Sequence, residues 1–199
     1  MSRRLALLAA LAAGGCSLLP ERPNVPVRRY ALSPRRPDQV GARQGAPVLL
    51  LRRLRAVPGL QDVALRRLRA DGAYDFVTYE EWLAPPGDLA DAALRAWLQA
   101  SGLFAAVVPS GSRADAGLVL ELQLTQLEAA PVAREARAGL AGVLLREDRL
   151  ASRVVATLEA AGTAPLLATA TPPLLAAAME AALGAAFGRL EAGLAPLAR

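Results

Sequence analysis

Twenty-three guanidinium groups, eighteen carboxylates, one thiol and no imidazole make up the reactive inventory of this 199-residue chain. Without histidine, a Ser-His-Asp triad, a Cys-His pair and a His-ligated zinc site cannot be built. With a single cysteine, Cys16, neither an intrachain disulfide nor a Cys-rich metal site can form. The carboxylates cluster at Glu80-Glu81, at Asp88 with Asp91, and at Glu147-Asp148. A glycosidase needs two carboxylates about 5 to 9 Å apart across a cleft. Adjacent residues of a strand point to opposite faces, so Glu80 and Glu81 are not such a pair. Asp88 suits the N-cap of a helix and Asp91 its first turn, while Glu147-Asp148 suits a turn between strands. No glycine-rich phosphate loop stands between a strand and a helix. These residue types point away from an enzyme, and neither a metal nor a cofactor is expected.

The thiol is better placed for modification than for catalysis. Arg3 and Arg4 precede an apolar run, Leu5 to Ala13, which is followed by Gly14, Gly15 and Cys16. Basic, apolar and small residues in that order form a signal peptide, and the run is too short to span a bilayer, which takes about 20 residues. Ala13-Gly14-Gly15-Cys16 resembles a bacterial lipobox, in which the cysteine becomes the acylated first residue. Residues 1–15 are thus read as the signal peptide and Cys16 as the lipid attachment site, its covalent lipid the only non-protein group expected. Ser17 rather than Asp follows the cysteine, which by the same resemblance favours the outer membrane, facing the periplasm. Stable anchoring takes two or more acyl chains, each buried methylene contributing about 0.8 kcal/mol. Loss of Arg3 and Arg4 with the signal peptide lowers the net charge from +5 to +3.

All the cations are arginine, and the chain has no lysine or isoleucine but much Ala and Leu. That pattern suits a GC-rich genome, so arginine in place of lysine is not itself informative. Position is. Arg52, Arg53, Arg55, Arg66, Arg67 and Arg69 fall on two neighbouring strand candidates. Paired as a hairpin they would form a basic band for an acidic partner, either lipid head groups or an acidic protein face. The alternative is a solvated face laced with ion pairs. Nucleic acid is a poor partner, because the compartment is wrong and the aromatic interleaving of single-strand binders is missing.

The elements that must carry these residues follow from pattern. Pro20, Pro23 and Pro26 make residues 16–26 an extended, lipidated tether. Residues 27–199 read as a single domain. Val27 to Leu32 is a short strand, and Ser33 to Pro47 a loop. Val48 to Val57, Val63 to Arg69 and Tyr74 to Tyr79 are three successive strands, implying an antiparallel meander. Leu89, Ala93, Leu94, Trp97 and Leu98 form the apolar stripe of a helix that ends at Gly102. Phe104 to Val108 is a short strand. Leu118, Leu120, Leu122 and Leu124 alternate with more polar residues as a half-buried strand, with a bulge near Thr125-Gln126. Arg134 to Ala161 fits either a helix or two strands around Glu147-Asp148. Thr171-Pro172-Pro173 opens a last helix whose apolar face runs from Leu175 through Met179, Leu183, Phe187 and Leu190 to Leu194. Its Glu180, Arg189 and Glu191 argue against a membrane span, and Gly184 and Gly188 suggest where it lies flat on a sheet. Trp82 and Trp97 read as packing residues.

Several pieces in this order resemble a known family. After the lipobox come Tyr30-Ala31-Leu32-Ser33-Pro34, a Val-Leu-Leu strand, Pro58-Gly59-Leu60, and Tyr79-Glu80-Glu81-Trp82-Leu83-Ala84-Pro85-Pro86. A helix ending Ala100-Ser101-Gly102-Leu103-Phe104 and the alternating strand from Leu118 to Glu128 complete the series. This resembles the ABC-type transport auxiliary lipoproteins, the PqiC/YmbA-like lipoproteins that accompany MCE-domain proteins. The resemblance implies an α+β, two-layer sandwich: a mixed, mainly antiparallel sheet with helices packed on it, including a C-terminal helix. It also turns Arg134 to Ala161 toward two strands. For function it implies a non-catalytic component of an MCE/ABC-type lipid transport system. Such a component docks the periplasmic part of the transporter, an MCE-domain protein served by a permease and an ATPase, at the outer membrane. The membrane would be reached through the lipid anchor, and there is room for a homo-oligomer. An envelope assembly lipoprotein without a transport partner is the competing reading.

Replacing Cys16 with Ala is expected to abolish incorporation of radiolabelled palmitate and to leave an unanchored or unprocessed chain; normal membrane fractionation of Cys16→Ala would refute the lipoprotein assignment.

Overall fold

The computed structural model describes residues 24–148 and 151–198. Cys16 and the proline tether up to Pro23 lie outside the described residues. The described chain runs β1 (Arg28–Tyr30), β2 (Val48–Leu51), β3 (Arg55–Ala56), β4 (Ala64–Leu68), β5 (Tyr74–Trp82), α1 (Pro86–Ala100), β6 (Ala106–Pro109), β7 (Leu118–Ala130), β8 (Glu135–Glu147), β9 (Ser152–Pro165) and α2 (Pro172–Leu194). The result is an α+β fold with one nine-stranded mixed sheet and two helices, the second C-terminal.

Strand β7 is the axis of the sheet. Along one edge it takes β2, β3 and β4 in succession, all parallel, with Leu49 opposite Leu118, Arg55 opposite Gln123 and Arg67 opposite Ala129. Along its other edge it pairs antiparallel with β8 from Leu118–Arg146 to Ala130–Glu135. Strand β9 pairs antiparallel with β8 beyond it. On the near side, β6 joins β2 in parallel, β5 joins β4 antiparallel, and β1 joins β5 in parallel. The two long ladders, β7–β8 and β8–β9, are therefore antiparallel, and of the short ones only β4–β5 is. The register of β7 against β8 shifts between Leu124 and Gln126, which is the bulge expected from Leu127 falling out of phase. Arg134 to Ala161 resolves into strands, because its small, alternating residues pack flat under a helix: Ala136, Ala138, Leu140 and Leu144 are buried.

Two expectations fail here for identifiable reasons. The stretch Val48 to Val57 is not one strand. The Leu54 amide leaves the ladder to donate to Asp91 Oδ1 of α1 at 2.9 Å, so β2 ends at Leu51 and β3 begins afresh at Arg55. The meander fails as well: β2 and β3 do not pair with β4, because all three lie end to end along β7. Only the Asp71-Gly72 hairpin joining β4 to β5 survives from it, with Gly72 at φ +83° as such a turn requires.

Both helices pack on the face that carries Leu118, Leu120, Leu122 and Leu124, and these residues are buried. The N-cap of α1 is Pro85, not Asp88; Asp88 sits in the first turn, where its charge complements the helix dipole. The buried face of α1 is Ala90, Ala93, Leu94, Trp97 and Leu98. Long and apolar enough by composition to cross a bilayer, α2 instead buries Leu175, Met179, Leu183, Phe187, Leu190 and Leu194 in the core. Trp97 meets Phe187 edge-on at 5.6 Å, joining the two helices.

Gly184 and Gly188 do not face the sheet. They face α1 and the 33–47 loop, a β-carbon on either approaching the Trp97 ring at 3.9 or 4.0 Å. The flat contact between helix and sheet is made from the other side, at Gly162 of β9. A β-carbon there would overlap the Ala182 carbonyl oxygen and the Ala186 amide of α2. Both obstacles are backbone, so relief requires moving the helix. Gly162→Ala is therefore expected to destabilise the domain by about 1–3 kcal/mol, whereas Gly188→Ala, in open helical surroundings, should be neutral or stabilise by up to about 1 kcal/mol. Urea midpoints of the two variants at constant slope measure the contrast.

Candidate functional site

The six arginines singled out in the sequence do not form one band. Alternation along the strands and the break at Leu54 divide them between surfaces. Arg53, in the break between β2 and β3, binds Asp88 Oδ1 of α1 at 2.7 Å. Arg67 and Arg69 converge on Asp75 at 3.0 and 3.4 Å, and Arg69 also reaches Asp71 at the hairpin. The guanidinium of Arg67 is the main reason the Asp75 carboxyl sits below the usual carboxylate range. Arg66 lies 3.5 Å over the Tyr74 ring and donates to the Gly59 carbonyl. Arg52 bridges Glu121 and Glu147. Only Arg55 of the six has no hydrogen-bond or carboxylate partner among the described residues.

Arg52, Arg53 and Arg55 nevertheless share one feature. They line a hollow of about 740 Å³ on the face of the sheet away from the helices. Its floor is made of Gln123, Ala141, Gly142, Val143 and Thr157, from β7, β8 and β9. A second recess of about 380 Å³ adjoins it, sharing Arg53 and Ser110 and adding Asp88, Asp91 and Arg95. Arg66, Arg67 and Arg69 do not line it.

Two buried carboxylates were not legible as such in the sequence. Glu80, 5% exposed, accepts from Arg28 Nε at 2.9 Å and from the Tyr30 hydroxyl at 2.6 Å. Glu81 points the opposite way and binds Arg29. All three residues of β1 are thereby held to β5 by side chains as well as by the ladder. Burial would raise the Glu80 carboxyl, but the Tyr30 hydroxyl and the Arg28 guanidinium outweigh it and hold the group below its ordinary range. The Tyr30 phenol is pushed up, by burial first and then by Glu80. Glu128, 2% exposed, receives the Tyr74 hydroxyl at 2.7 Å and the Gln126 amide at 3.0 Å. Burial and Glu128 likewise raise the Tyr74 phenol. Partners 50 and 54 residues away left no local signal for either carboxylate.

Among the described residues no group of three or more His, Cys, Asp or Glu side chains is placed to hold a metal ion. The three carboxylate clusters are separated: Glu80 and Glu81 clasp β1, Asp88 lies in the first turn of α1, and Glu147 holds Arg52; Asp91 is not in that first turn but beyond it, where it accepts from the Leu54 amide and Arg95. Trp82 and Trp97 are buried as packing residues, and the Trp97 indole also donates to Glu191 at 2.8 Å.

With this geometry in hand, comparison places the fold. No family model and no curated protein matches the chain. Solved structures do. A Xanthomonas campestris protein of the DUF330 family superposes with a TM-score of 0.67 over 85% of this chain and 95% of its own, at 20% identity. An uncharacterised protein does so with a TM-score of 0.58 over 87% and 99%, at 14% identity. The chain thus has the fold of the DUF330 protein along nearly its whole described length. The two motif pieces around Tyr30 and Tyr79-Glu80-Glu81-Trp82 are brought together within it as β1 and β5, with Tyr30 opposite Trp82. A PelC dodecamer from Paraburkholderia phytofirmans is more distant, with a TM-score of 0.44.

The Glu80 clasp predicts a pH dependence of defined sign. A carboxyl depressed in the folded state stabilises fully above its unfolded pKa, and that contribution is lost as pH falls through the folded value. The stability difference between the natural chain and Glu80→Gln is expected to be largest above about pH 5 and to shrink below about pH 4. Denaturant titrations at pH 7, 5 and 3 test it, and a difference that grows toward pH 3 would contradict the clasp.

Proposed function

We propose that the protein is a non-catalytic lipoprotein component of an MCE/ABC-type lipid transport system. It is anchored in the outer membrane through acylated Cys16, faces the periplasm, and docks or stabilises the periplasmic MCE-domain protein there. The permease and the ATPase are partners only through that protein. The observation that carries this reading is the combination of a lipobox-like leader with a DUF330-like fold, in the order of motifs seen in the PqiC/YmbA-like lipoproteins. The described start of the domain supports it. The chain enters the domain at β1, a three-residue edge strand clasped by Glu80 and Glu81, which suits a joint between an anchor and a body. The carboxylates serve strand clasping, helix starts and ion pairs, which suits an adaptor.

In a cell expressing the full chain, crosslinking followed by pull-down is expected to recover an MCE-domain protein. Its repeated absence, with an envelope assembly factor recovered instead, would favour an assembly lipoprotein without a transport partner.

A further inference from the structure

The arginine hollow has a shape and a charge pattern that select among anionic partners. It spans from Ser110, just beyond β6, to Thr157 on β9, so the uncovered face of the sheet is concave there. Its wall carries Arg52, Arg53 and Arg55 against one lining carboxylate, Glu121. Arg52 is shared between Glu121 and Glu147, and both salt bridges are solvent-exposed, so an incoming carboxylate can replace either at little cost. Arg55 has no partner to give up. A guanidinium matches a carboxylate with two parallel hydrogen bonds, which suits Asp and Glu side chains.

The floor adds a second requirement. Ala141 and Val143 are apolar and Ala141 is small, so an aliphatic side chain can rest on them. A flat bilayer would touch the rim and leave this floor unused. Glu121 on the wall and Asp88 in the adjoining recess would also repel a dense anionic lipid surface, whereas spaced carboxylates can pass between them. On the β9 side the hollow is open, since β9 pairs only with β8.

We infer that this hollow is the docking site for an acidic, aliphatic-containing segment of a partner protein, an assignment of the contact surface that rests on the docking role proposed above. It engages Arg55 and Arg52 and lays apolar side chains over Ala141 and Val143. Arg67 and Arg69, already neutralised by Asp75 and Asp71, take no part.

The test uses the full lipidated chain in neutral detergent and a fluorescein-labelled octapeptide of alternating Glu and Leu, read by fluorescence anisotropy. Arg55→Glu and Thr157→Trp, which reverse the free charge and fill the mouth at exposed positions, are each expected to weaken binding at least tenfold. Arg69→Glu, the same charge change outside the hollow, should alter it less than twofold. Circular dichroism and melting temperature confirm that each variant is folded. Equal loss in Arg69→Glu and Arg55→Glu would overturn the site in favour of general basicity, as would unchanged binding in Arg55→Glu. Displacement of the peptide by dihexanoyl phosphatidylglycerol, with direct lipid binding lost in Arg55→Glu, would overturn it in favour of a lipid head-group site. The docking role is judged separately, by crosslinked capture of the MCE-domain protein. Capture by Arg55→Glu as efficient as by the natural chain removes the hollow while leaving the docking role intact. Peptide binding lost in Arg55→Glu, with no capture by either chain, keeps the hollow and removes the role.

Discussion

Both edges of β7 must be hydrogen-bonded along thirteen residues, and the rest of the architecture satisfies that demand. Strand β8 covers one edge in a single antiparallel run. The other edge is covered piecemeal, by β2, β3 and β4 laid end to end. Those pieces are short, at four, two and five residues, and β2 and β4 are held from their other side by β6 and β5. The helices then follow. The inward leucines of β7 need a cover, and α1 and α2 meet over them through Trp97 and Phe187. Arginine placement follows too, because the breaks between β2, β3 and β4 determine which guanidinium turns to which side.

The second organising contact is the buried carboxylate of Glu80. A three-residue parallel edge strand contributes few backbone hydrogen bonds, so β1 would fray without further attachment. Glu80 supplies it by accepting from both Arg28 and Tyr30, while Glu81 reaches Arg29 on the other face. Tyr79, at φ +61°, is one of only two non-glycine residues with positive φ among those described, and it immediately precedes Glu80. The register of β5 against β4 also shifts in this region, from Ala64–Glu81 to Arg66–Phe76. The chain thus departs from regular strand geometry next to the side chain that clasps β1, a coincidence of strain and role often seen where a side chain must be aimed.

What could be read from the sequence was local. The alternation of Leu118 to Leu124, the bulge after Leu124, the Asp71-Gly72 turn and the apolar face of the last helix each rest on a period or a turn within about ten residues, and each is present. Strand order was not local. Val48 to Val57 and Val63 to Arg69 carry the same apolar-plus-arginine pattern whether they pair with each other or both lie along a strand much later in the chain. Only the Leu54 amide bound to Asp91 distinguishes the cases. The same holds for Glu80 and Glu128, whose burial depends on distant tyrosines, and for Gly162, whose importance lies in the backbone of α2 above it. Gly184 and Gly188 show the converse: conspicuous spacing within a helix did not reveal which neighbour the glycines would face.

The arginine pattern illustrates why a charge run in sequence and a charged surface are different things. Strand neighbours point to opposite faces, the rule that separates Glu80 from Glu81, and it separates Arg66 from Arg67 on β4 as well. The two arginine segments do not pair with each other but lie at different places along β7, so no single band forms. At the β4–β5 hairpin, Asp71 and Asp75 lie within the same turn of chain and neutralise Arg67 and Arg69 locally. Beside β7, the nearest acids come from other strands, and they are enough for Arg52 but leave Arg55 unpaired. Arg55 is thus left unpaired at the hollow on the face of the sheet that no helix covers. An unpaired guanidinium at a solvated surface costs little, so folding alone does not require a partner there. Its position over an apolar, concave floor is what gives an acidic segment more to gain there than at any of the paired arginines.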